Sequence, residues 1–307
     1  MRSRNGRQGS HPPPLVRYRS GEEDSGRWAG FPFRQGDIVI STRSKTGTTW
    51  VQMICALLVF QAPDLPAPLA QLSPWLDWLI IPRDEVYARL ASQQHRRFIK
   101  THTPLDGIPV DSRATYIVVG RHPLDMAVSL YHQGDNIDRG RVRHLTGQPE
   151  PERPAAPQLP VREWLLRWID RDDRPQEQLD SLPGVMWHLS DAWGRRHQPN
   201  VVLLHYDDLS ADLEGEMRRL AELLGIAVPD ETWPGLMQAA TFERMRGAAN
   251  RLVPDPAGVL KDKAAFFRRG TSGSGRELLS RDELAHYHAR ISRLAPPDLL
   301  AWLHRED

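Results

Sequence analysis

Two patterns of hydrophobic residues alternate along the chain from residue 37 onward. Short runs rich in β-branched residues predict strands at 37–43, 97–101, 115–121 and 200–206. Between and after them, apolar residues recur at helical spacing, which predicts helices at 48–60, 84–94, 123–133, 185–197 and 211–224. Strands separated by helices are typical of a mainly parallel sheet covered on both faces. The pattern therefore predicts an α/β fold, in which a single domain has a central, mainly parallel sheet flanked by helices.

The segments outside this pattern are polar. Residues 1–25 are rich in Arg, Ser, Gly and Pro, so we expect a disordered tail there and a single domain over 26–307. Five prolines within 149–160 predict a long loop inside the region 134–183. The N-terminus has no apolar signal-peptide core, and runs such as MICALLVF are too short to span a bilayer. We therefore expect a cytoplasmic protein.

Charge and cysteine content exclude several classes of protein. The formal net charge is only +1, so no overall field favours nucleic acid, although 40 Lys and Arg residues leave room for a local basic pocket. Cys55 is the only cysteine, which excludes a disulfide framework and a cysteine-based metal site. Because Cys55 lies among the apolar residues of a predicted helix, we expect it to be a buried structural thiol.

Polar or basic clusters follow the first three predicted strands. RSKTGTTW begins at Arg43, KTHTP begins at Lys100 and GRHPLDMAVS begins at Gly120. Open α/β sheets bind their ligands at the carboxyl ends of the strands. The coincidence of three such clusters therefore predicts the functional site at this edge of the sheet.

The first cluster joins a predicted strand to a predicted helix, so its backbone N–H groups suit an anion. A nucleoside triphosphate loop reads G-x-x-x-x-G-K-[ST], with its lysine beside a metal-binding hydroxyl. Here Lys45 comes before the glycine of the loop, and the hydroxyls of Thr48 and Thr49 follow. The ring of Trp50 could stack on a base. Taken alone, the cluster is also consistent with an ordinary turn, a solvated lysine and a core tryptophan.

Four segments in order resemble the signatures of sulfotransferases that use 3′-phosphoadenosine 5′-phosphosulfate (PAPS), of the cytosolic type. They are KTGTTW (45–50), FIKTHTP (98–104), YIVVGRHPLDMAVSLYH (116–132) and FFRRGTSG (266–273). The segments GVMWHLSDAW and NVVLLHYDDL resemble a further helix and strand of the family. The resemblance implies an α/β fold with a P-loop-like phosphosulfate-binding loop, and sulfuryl transfer from PAPS to an acceptor hydroxyl.

The resemblance also implies the catalytic residues. Lys45 would approach the leaving-group side of the phosphosulfate, Lys100 would stabilise charge on the sulfuryl oxygens, and His102 would be the general base. A histidine suits this role because its ordinary pKa lies near working pH. Alternation along a strand puts Lys100 and His102 on the same face. Outside this context His102 would be interpreted as a structural histidine, as the other eleven histidines are.

The donor-binding residues follow from the same resemblance. The first loop would cradle the 5′-phosphate, two later segments would clamp the 3′-phosphate, and three aromatic side chains would surround the adenine. In that order they are Lys45, Thr46, Gly47, Thr48 and Thr49; then Arg121 and Ser129, with Arg268, Arg269 and Gly270; then Trp50, Tyr206 and Phe242. The expected product is adenosine 3′,5′-bisphosphate. Because cations and amides supply the neutralising charge, we expect no metal.

The chain departs from the family pattern at its C-terminal signatures. Arg269 replaces the usual lysine but keeps the charge. GSGR (273–276) stands where the family often has G-D-W-K, which predicts a looser lid over the donor. The family's dimer motif, K-x-x-x-T-V-x-x-x-E, would fall near 276–285 and is not preserved. The oligomeric state is therefore left open.

The acceptor is expected to bind between the variable regions 61–83 and 134–183, which contain tryptophans and apolar residues. They favour a hydrophobic or amphipathic alcohol, phenol or glycolipid, bound with or without peripheral membrane contact. The arginine- and proline-rich composition resembles actinobacterial members of the family, among which glycolipid-type acceptors occur. Two alternatives are a nucleoside or sugar kinase that uses ATP and Mg²⁺, and a non-catalytic nucleotide-binding protein of the same fold.

Overall fold

The computed structural model describes residues 14–151 and 158–305 of the chain. Its four-stranded sheet has the order β2-β1-β3-β4, and every pairing in that sheet is parallel. The strands are β1 (Asp37–Ser41), β2 (Phe98–Thr101), β3 (Ala114–Gly120) and β4 (Val201–His205). The predicted α/β fold with a central parallel sheet is confirmed, and each strand lies within a residue of its predicted start.

Helices flank the sheet. They are α1 (Thr48–Phe60), α2 (Leu69–Leu72), α3 (Arg83–Ser92), α4 (Pro123–Asn136), α5 (Arg139–Thr146), α6 (Val161–Asp170), α7 (Leu182–Gly194), α8 (Tyr206–Ala211), α9 (Leu213–Leu224), α10 (Trp233–Ala240), α11 (Phe242–Gly247), α12 (Ala249–Leu252), α13 (Arg281–Ile291) and α14 (Pro297–His304). Short 3₁₀ turns lie at Ser25–Trp28, Leu105–Gly107, Asp230–Thr232, Ala264–Phe266 and Arg276–Leu278. In the part of the chain described, no helix is both long and apolar enough to cross a membrane.

The predicted helix at 211–224 is interrupted near its start. The chain forms α8 and then α9, and Asp212 lies between them. The Asp212 side chain accepts a hydrogen bond from the Gly215 amide at 2.8 Å, so it caps the start of α9. The proline-rich loop predicted at 149–160 lies partly outside the described residues.

Side chains of the strands alternate between two hydrophobic cores. Val39 and Val118 pack on one face against α4, α6, α7, α13 and α14. Ile38 and Ile40 pack on the other face against α1, α9, α10 and α12. Complete burial of one such side chain contributes about 1.5–3 kcal/mol. Both faces are therefore covered, and the chemistry is confined to the ends of the strands.

The free thiol of Cys55 is part of the second core. Cys55 is fully buried in α1, as the sequence predicts. Burial raises the pKa of this thiol to about 12, so it stays protonated and unreactive.

The segment 14–25, which we call the N-terminal strap, is packed against the domain rather than disordered. The buried Tyr18 donates a hydrogen bond from its hydroxyl to Asp106 at 2.8 Å. The backbone N–H of Asp24 donates to the Asp77 carbonyl at 2.9 Å. The predicted tail is therefore wrong for this segment, because long-range contacts outweigh its polar composition. The first thirteen residues lie outside the described part of the chain.

Candidate active site

The loop between β1 and α1 presents the first turn of a helix at the end of the sheet. The Thr46 hydroxyl donates to the Arg43 carbonyl at 2.8 Å and closes the turn. Gly47, the N-cap of α1, has φ 114°, and a Cβ there would lie 3.2 Å from the Tyr206 ring. Among the described residues, no side chain caps the first amides of α1. These N–H groups therefore suit an anion, although the anion site itself stays a prediction.

Lys45 has an unfavourable backbone conformation, and its ammonium lies in surroundings that disfavour its charge. Its φ of 66° lies in the left-handed region, which side chains other than glycine rarely adopt. Its ammonium lies 4.1 Å from the centroid of the Phe266 ring and 3.4 Å from the Gln133 side-chain oxygen. Burial, followed by the charge of Arg121 and other nearby cations, lowers the Lys45 pKa to about 7. Such a site favours an anionic ligand, which would restore the charge of the lysine.

Arg121 ties the first loop to the loop after the Arg-Arg pair. Its guanidinium donates to the Lys45 carbonyl at 2.9 Å and to the Thr271 carbonyl at 3.3 Å. It also lies 4.1 Å above the Tyr206 ring. The Nε of Arg121 is buried and has no partner among the described residues, and the same is true of Arg268.

These groups line one cavity, which we call the cationic cavity. Its walls are Lys45, Gly47, Thr48, Thr49, Trp50, Arg121, Ser129, Tyr206, Phe242, Met245, Phe266, Phe267, Arg268, Arg269, Gly270 and Thr271. Of the residues predicted to bind the donor, Thr46 alone is absent from this wall, because its side chain turns back to close the loop. Within the described residues, none of the four cations of the cavity forms an ion pair with a carboxylate.

Aromatic side chains form the remaining wall of the cationic cavity. The indole of Trp50 donates to the Ala240 carbonyl at 2.9 Å, and its ring meets the Tyr206 ring edge-on at 5.4 Å. Phe242 packs against the backbone of Gly270, where a Cβ would come within 2.6 Å of its ring. Gly270 also has φ 70°, so both its backbone conformation and its contact with Phe242 require glycine at this position.

Asp125 anchors the loop that follows Gly270, and sequence analysis did not assign it a role. Its carboxylate accepts hydrogen bonds at 2.8 Å from the amides of Gly273 and Gly275 and at 3.3 Å from the Ser274 hydroxyl. The only sequence signal was its place in the segment YIVVGRHPLDMAVSLYH (116–132), which resembles a family signature. The GSGR segment, predicted to be a looser lid, is thus fastened to α4.

His102 follows β2 and is buried at the same edge of the sheet. Its Nδ1 donates a hydrogen bond to the Thr42 carbonyl, which leaves Nε2 as an acceptor in the neutral ring. Burial, followed by the charges of Lys100 and Arg43, holds the pKa of His102 well below its ordinary value. The neutral form, which can accept a proton, is therefore the resting form.

Lys100 lies beside this histidine. Its ammonium sits 3.6 Å from the centroid of the Trp75 ring, and the Trp75 ring also meets the His102 ring edge-on at 4.6 Å. Burial lowers the Lys100 pKa to about 8. The pair therefore faces one side of the strand end, as alternation predicts, and shares an aromatic support.

Asp77 holds the backbone around His102 and is a second residue that sequence analysis missed. One of its oxygens accepts hydrogen bonds from the hydroxyls of Thr101 and Thr103, both at 2.6 Å, and from the His102 amide at 3.2 Å. The signal was a lone acidic residue inside an aromatic segment, which carries no recognisable pattern.

His102 and Lys100 open into a larger second cavity, which we call the histidine cavity. Its walls are Tyr18, Arg19, Ser20, Gly21, Glu22, Glu23, Arg43, Ser44, Lys45, Thr49, Trp75, Trp78, Lys100, His102, Thr103, Leu130, Gln133, Ile137, Arg139, Val142, Gln148, Gln176, Glu177, Gln178, Leu179, Asp180, Pro254, Val259, Leu260 and Phe266. The predicted regions 61–83 and 134–183 both contribute. The N-terminal strap contributes as well, which the sequence did not predict. Lys45, Thr49 and Phe266 line both cavities, so the two adjoin.

A cavity lined by cations thus adjoins a cavity that contains a neutral histidine, an arrangement that suits group transfer between two bound molecules. The sequence model of the sulfotransferase domain matches residues 35–295. A glycolipid sulfotransferase of Mycobacterium bovis (strain BCG / Pasteur 1173P2) is 44% identical over 308 residues, 94% of each chain. Sulfotransferase 1A1 of Bos taurus is 26% identical over 91% of this chain and 90% of its own. The chain therefore belongs to the family of PAPS-dependent sulfotransferases, which confirms the resemblance of its motifs.

Solved structures of similar fold agree with this assignment. Retinol dehydratase, in a complex with retinol and PAP, superposes with a TM-score of 0.67 at 21% identity, over 88% of this chain and 83% of its own. Mouse sulfotransferase SULT7A1, complexed with PAP, superposes with a TM-score of 0.64 at 19% identity, over 88% of each chain. At this identity the likeness concerns the fold.

Proposed function

We propose that the protein transfers a sulfuryl group from PAPS to an acceptor hydroxyl in line, with His102 as the base and Lys45 assisting the leaving group. One observation carries the proposal. The cationic cavity and the histidine cavity meet at Lys45, so a donor in the first and an acceptor in the second would approach each other beside this lysine. Family membership supports the same reaction.

The cationic cavity fits PAPS in charge and in shape. Lys45, Arg121, Arg268 and Arg269 lack carboxylate partners among the described residues, and the buried Nε atoms of Arg121 and Arg268 have no hydrogen-bond partner there. The amides of the first loop would hold the 5′-phosphate, while Arg121, Ser129 and the Arg268–Gly270 segment would hold the 3′-phosphate. Trp50, Tyr206 and Phe242 would enclose the adenine. Because protein cations supply the neutralising charge, the proposed reaction needs no metal.

The chain's own residues account for the movement of the proton. His102 would accept the hydroxyl proton at Nε2, and the Nδ1 bond to the Thr42 carbonyl would orient the ring and stabilise its protonated form. Lys100, held over Trp75, would stabilise negative charge on the transferred group. Lys45, with its pKa lowered to about 7, would lend a proton or a charge to the departing oxygen.

An amphipathic acceptor suits the histidine cavity best. Part of its lining is polar and comes from the strap and the first loop, including Glu22, Glu23 and Arg43. Another part is apolar and includes Leu130, Ile137, Val142, Val259 and Leu260. A glycolipid, whose polar head and apolar tail match these two kinds of lining, is therefore the acceptor that we propose. The name of the mycobacterial relatives supports it. Action in the cytoplasm, with peripheral contact to a membrane that supplies the lipid, fits this proposal.

The test is transfer of label from sulfur-labelled PAPS to an alkyl glycoside, a phenol and a simple alcohol, each with and without excess chelator. We expect labelled glycoside, and equal rates with and without chelator. ATP and PAPS should be compared in parallel by their effect on the melting temperature. Stabilisation by ATP with Mg²⁺ and none by PAPS would favour the kinase alternative. Binding of PAPS without transfer to any acceptor would favour a non-catalytic protein.

A further inference from the structure

The N-terminal strap is fastened on both sides of Glu23. Toward the N-terminus, Tyr18 bonds to Asp106 and accepts a hydrogen bond from the Trp187 indole at 2.6 Å. Toward the C-terminus, the Asp24 amide donates a hydrogen bond to the Asp77 carbonyl, and Glu23 itself forms a β-bridge with Trp78. The backbone of Glu23 is therefore fixed, and its side chain lines the histidine cavity.

The carboxyl group of Glu23 lines the histidine cavity without a hydrogen-bond partner among the described residues. The side chain is only 18% exposed, and its nearest cation is the Arg43 guanidinium at 3.8 Å, which is beyond hydrogen-bond distance. Among the described residues, no group donates a hydrogen bond to this carboxyl. Burial raises the Glu23 pKa to about 8, so the group is mostly neutral at pH 7 and can both donate and accept. A ligand hydroxyl in the cavity would supply the hydrogen bonds that the protein does not give this partly exposed carboxyl.

Glu23 lies on the reactive side of the histidine cavity. The same Arg43 nitrogen that faces Glu23 also donates to the backbone carbonyl of His102. Lys100 is close enough to influence the Glu23 carboxyl electrostatically. A group bonded to Glu23 would therefore belong to the part of the acceptor near the reacting hydroxyl.

The charges around Glu23 favour a neutral partner. Arg43 is paired with Asp180 at 2.6 Å, and Arg139 is paired with Glu22 at 2.7 Å, so these cations are already balanced. An ammonium group on the acceptor would meet the charges of Lys45 and Lys100 in the same cavity. Hydroxyl groups meet no such repulsion and can bond to a neutral carboxyl in both directions.

We propose that Glu23 is a specificity-determining residue that hydrogen-bonds a sugar hydroxyl of the acceptor, next to the hydroxyl that is sulfated. This inference rests on the proposed sulfotransferase function and adds the residue that distinguishes a sugar from a plain alcohol. A carboxyl on a strap outside the sheet, rather than a residue of the strand ends, would then select the acceptor.

The experiment measures binding rather than turnover. Octyl glucoside and octanol share one tail and differ by the sugar, and each would be titrated by calorimetry into protein saturated with adenosine 3′,5′-bisphosphate. Glu23→Met removes the hydrogen bonds but keeps the length of the side chain, and should weaken the binding of octyl glucoside by about tenfold or more. The affinity for octanol should change less than about twofold. Glu23→Gln, which still donates and accepts, should retain most of the glucoside affinity.

Glu177→Ala removes an exposed carboxylate from the rim of the same cavity and should change neither ligand. Melting temperatures show whether each variant is folded, and Glu23→Ala replaces the methionine variant if that one is not. Equal weakening of both ligands, or a glutamine variant as weak as the methionine variant, would overturn the proposal. Failure of wild type to sulfate any acceptor would contradict the proposed function and leave the binding comparison intact.

Discussion

The two cavities at the edge of the sheet differ in whether their cations are paired with carboxylates. In the cationic cavity, Lys45, Arg121, Arg268 and Arg269 have no carboxylate partner within the described residues. In the histidine cavity, the cations that do not take part in the proposed chemistry are paired, such as Arg43 with Asp180. Neighbouring cations without carboxylate partners repel one another and favour an anionic ligand, whereas paired cations do not. The difference supports the proposal that the first cavity binds the multiply charged donor and the second a neutral acceptor.

The largest expected effect comes from replacing His102, and it tests the comparison between the two cavities. Its Nε2 is free and its ring is neutral, so loss of the base affects only the step that deprotonates the acceptor. His102→Ala should cut turnover by on the order of 10²–10⁴-fold while leaving bisphosphate affinity nearly unchanged. Initial rates with labelled PAPS and calorimetry with the bisphosphate measure the two quantities. Near-wild-type turnover would show that another group is the base.

The control for this variant is His197→Ala, because His197 is exposed and lines neither cavity. The pH profile adds a second check. Because the pKa of His102 is held below its ordinary value, the basic form persists as the pH falls. In wild type, kcat/KM should therefore decline only below about pH 6.5, the ordinary histidine value.

The second prediction tests whether the cationic cavity distinguishes the 3′-phosphate. Arg121→Ala should weaken the binding of adenosine 3′,5′-bisphosphate by about 10–100-fold, because charge-assisted hydrogen bonds are lost. Adenosine 5′-monophosphate should lose much less, and only because Arg121 no longer joins the Lys45 and Thr271 carbonyls. Calorimetry with both ligands measures the difference. Ser129→Ala, which removes a neutral hydroxyl from the same cavity, should have a smaller effect.

Equal losses for the two nucleotides would mean that Arg121 only organises the loops. The 3′-phosphate would then be held by Arg268 and Arg269, and the same pair of ligands tested on Arg268→Ala would show it.

The third prediction follows from the crowding of unpaired cations around Lys45. With no anion bound, the Lys45 pKa is about 7, so at pH 8 the side chain is mostly neutral. A bound phosphate favours the charged form and raises that pKa, so binding should take up protons at pH 8 and weaken as pH rises above 7. Calorimetry in buffers of different ionisation enthalpy measures the uptake. Lys45→Met should abolish most of it, and unchanged uptake would assign the proton to another group.

The sequence predicted the cationic cavity far better than the histidine cavity, for a physical reason. Lys45 lies in the loop that follows β1 and Arg121 comes directly after β3, and these neighbouring parallel strands bring their carboxyl ends together without further information. Short contiguous motifs were therefore enough to place the first cavity.

The histidine cavity depends on contacts that no local pattern encodes. Glu23 belongs to a polar segment whose composition predicts disorder, and only the docking of Tyr18 and the bridge to Trp78 bring it to the site. Asp77 and Asp180 are single acids in irregular segments. Their roles depend on partners far away in the chain, at Thr103 and Arg43.

The smallest expected effect concerns the loop that covers the cationic cavity. Asp125 holds this loop through the amides of Gly273 and Gly275, so the carboxylate supports the cavity without lining it. Asp125→Asn keeps the size of the side chain but sets an NH₂ group against one of these amides. The loss should be about 1–3 kcal/mol of stability, typical of a buried donor left without its acceptor. Thermal unfolding should then show a melting temperature lower by about 2–4 °C per kcal/mol.

The same change should weaken the bisphosphate by a few-fold and leave octanol binding in the histidine cavity unchanged, because the loop belongs to the donor side alone. Asp135→Asn is the matched control, since Asp135 is exposed on the same helix and only its backbone carbonyl accepts a hydrogen bond, from Lys261. A loss of stability without a loss of bisphosphate affinity would show that the loop is held there for folding only. Weaker binding in both cavities would instead show that the two sides are not independent, which would break the comparison between them.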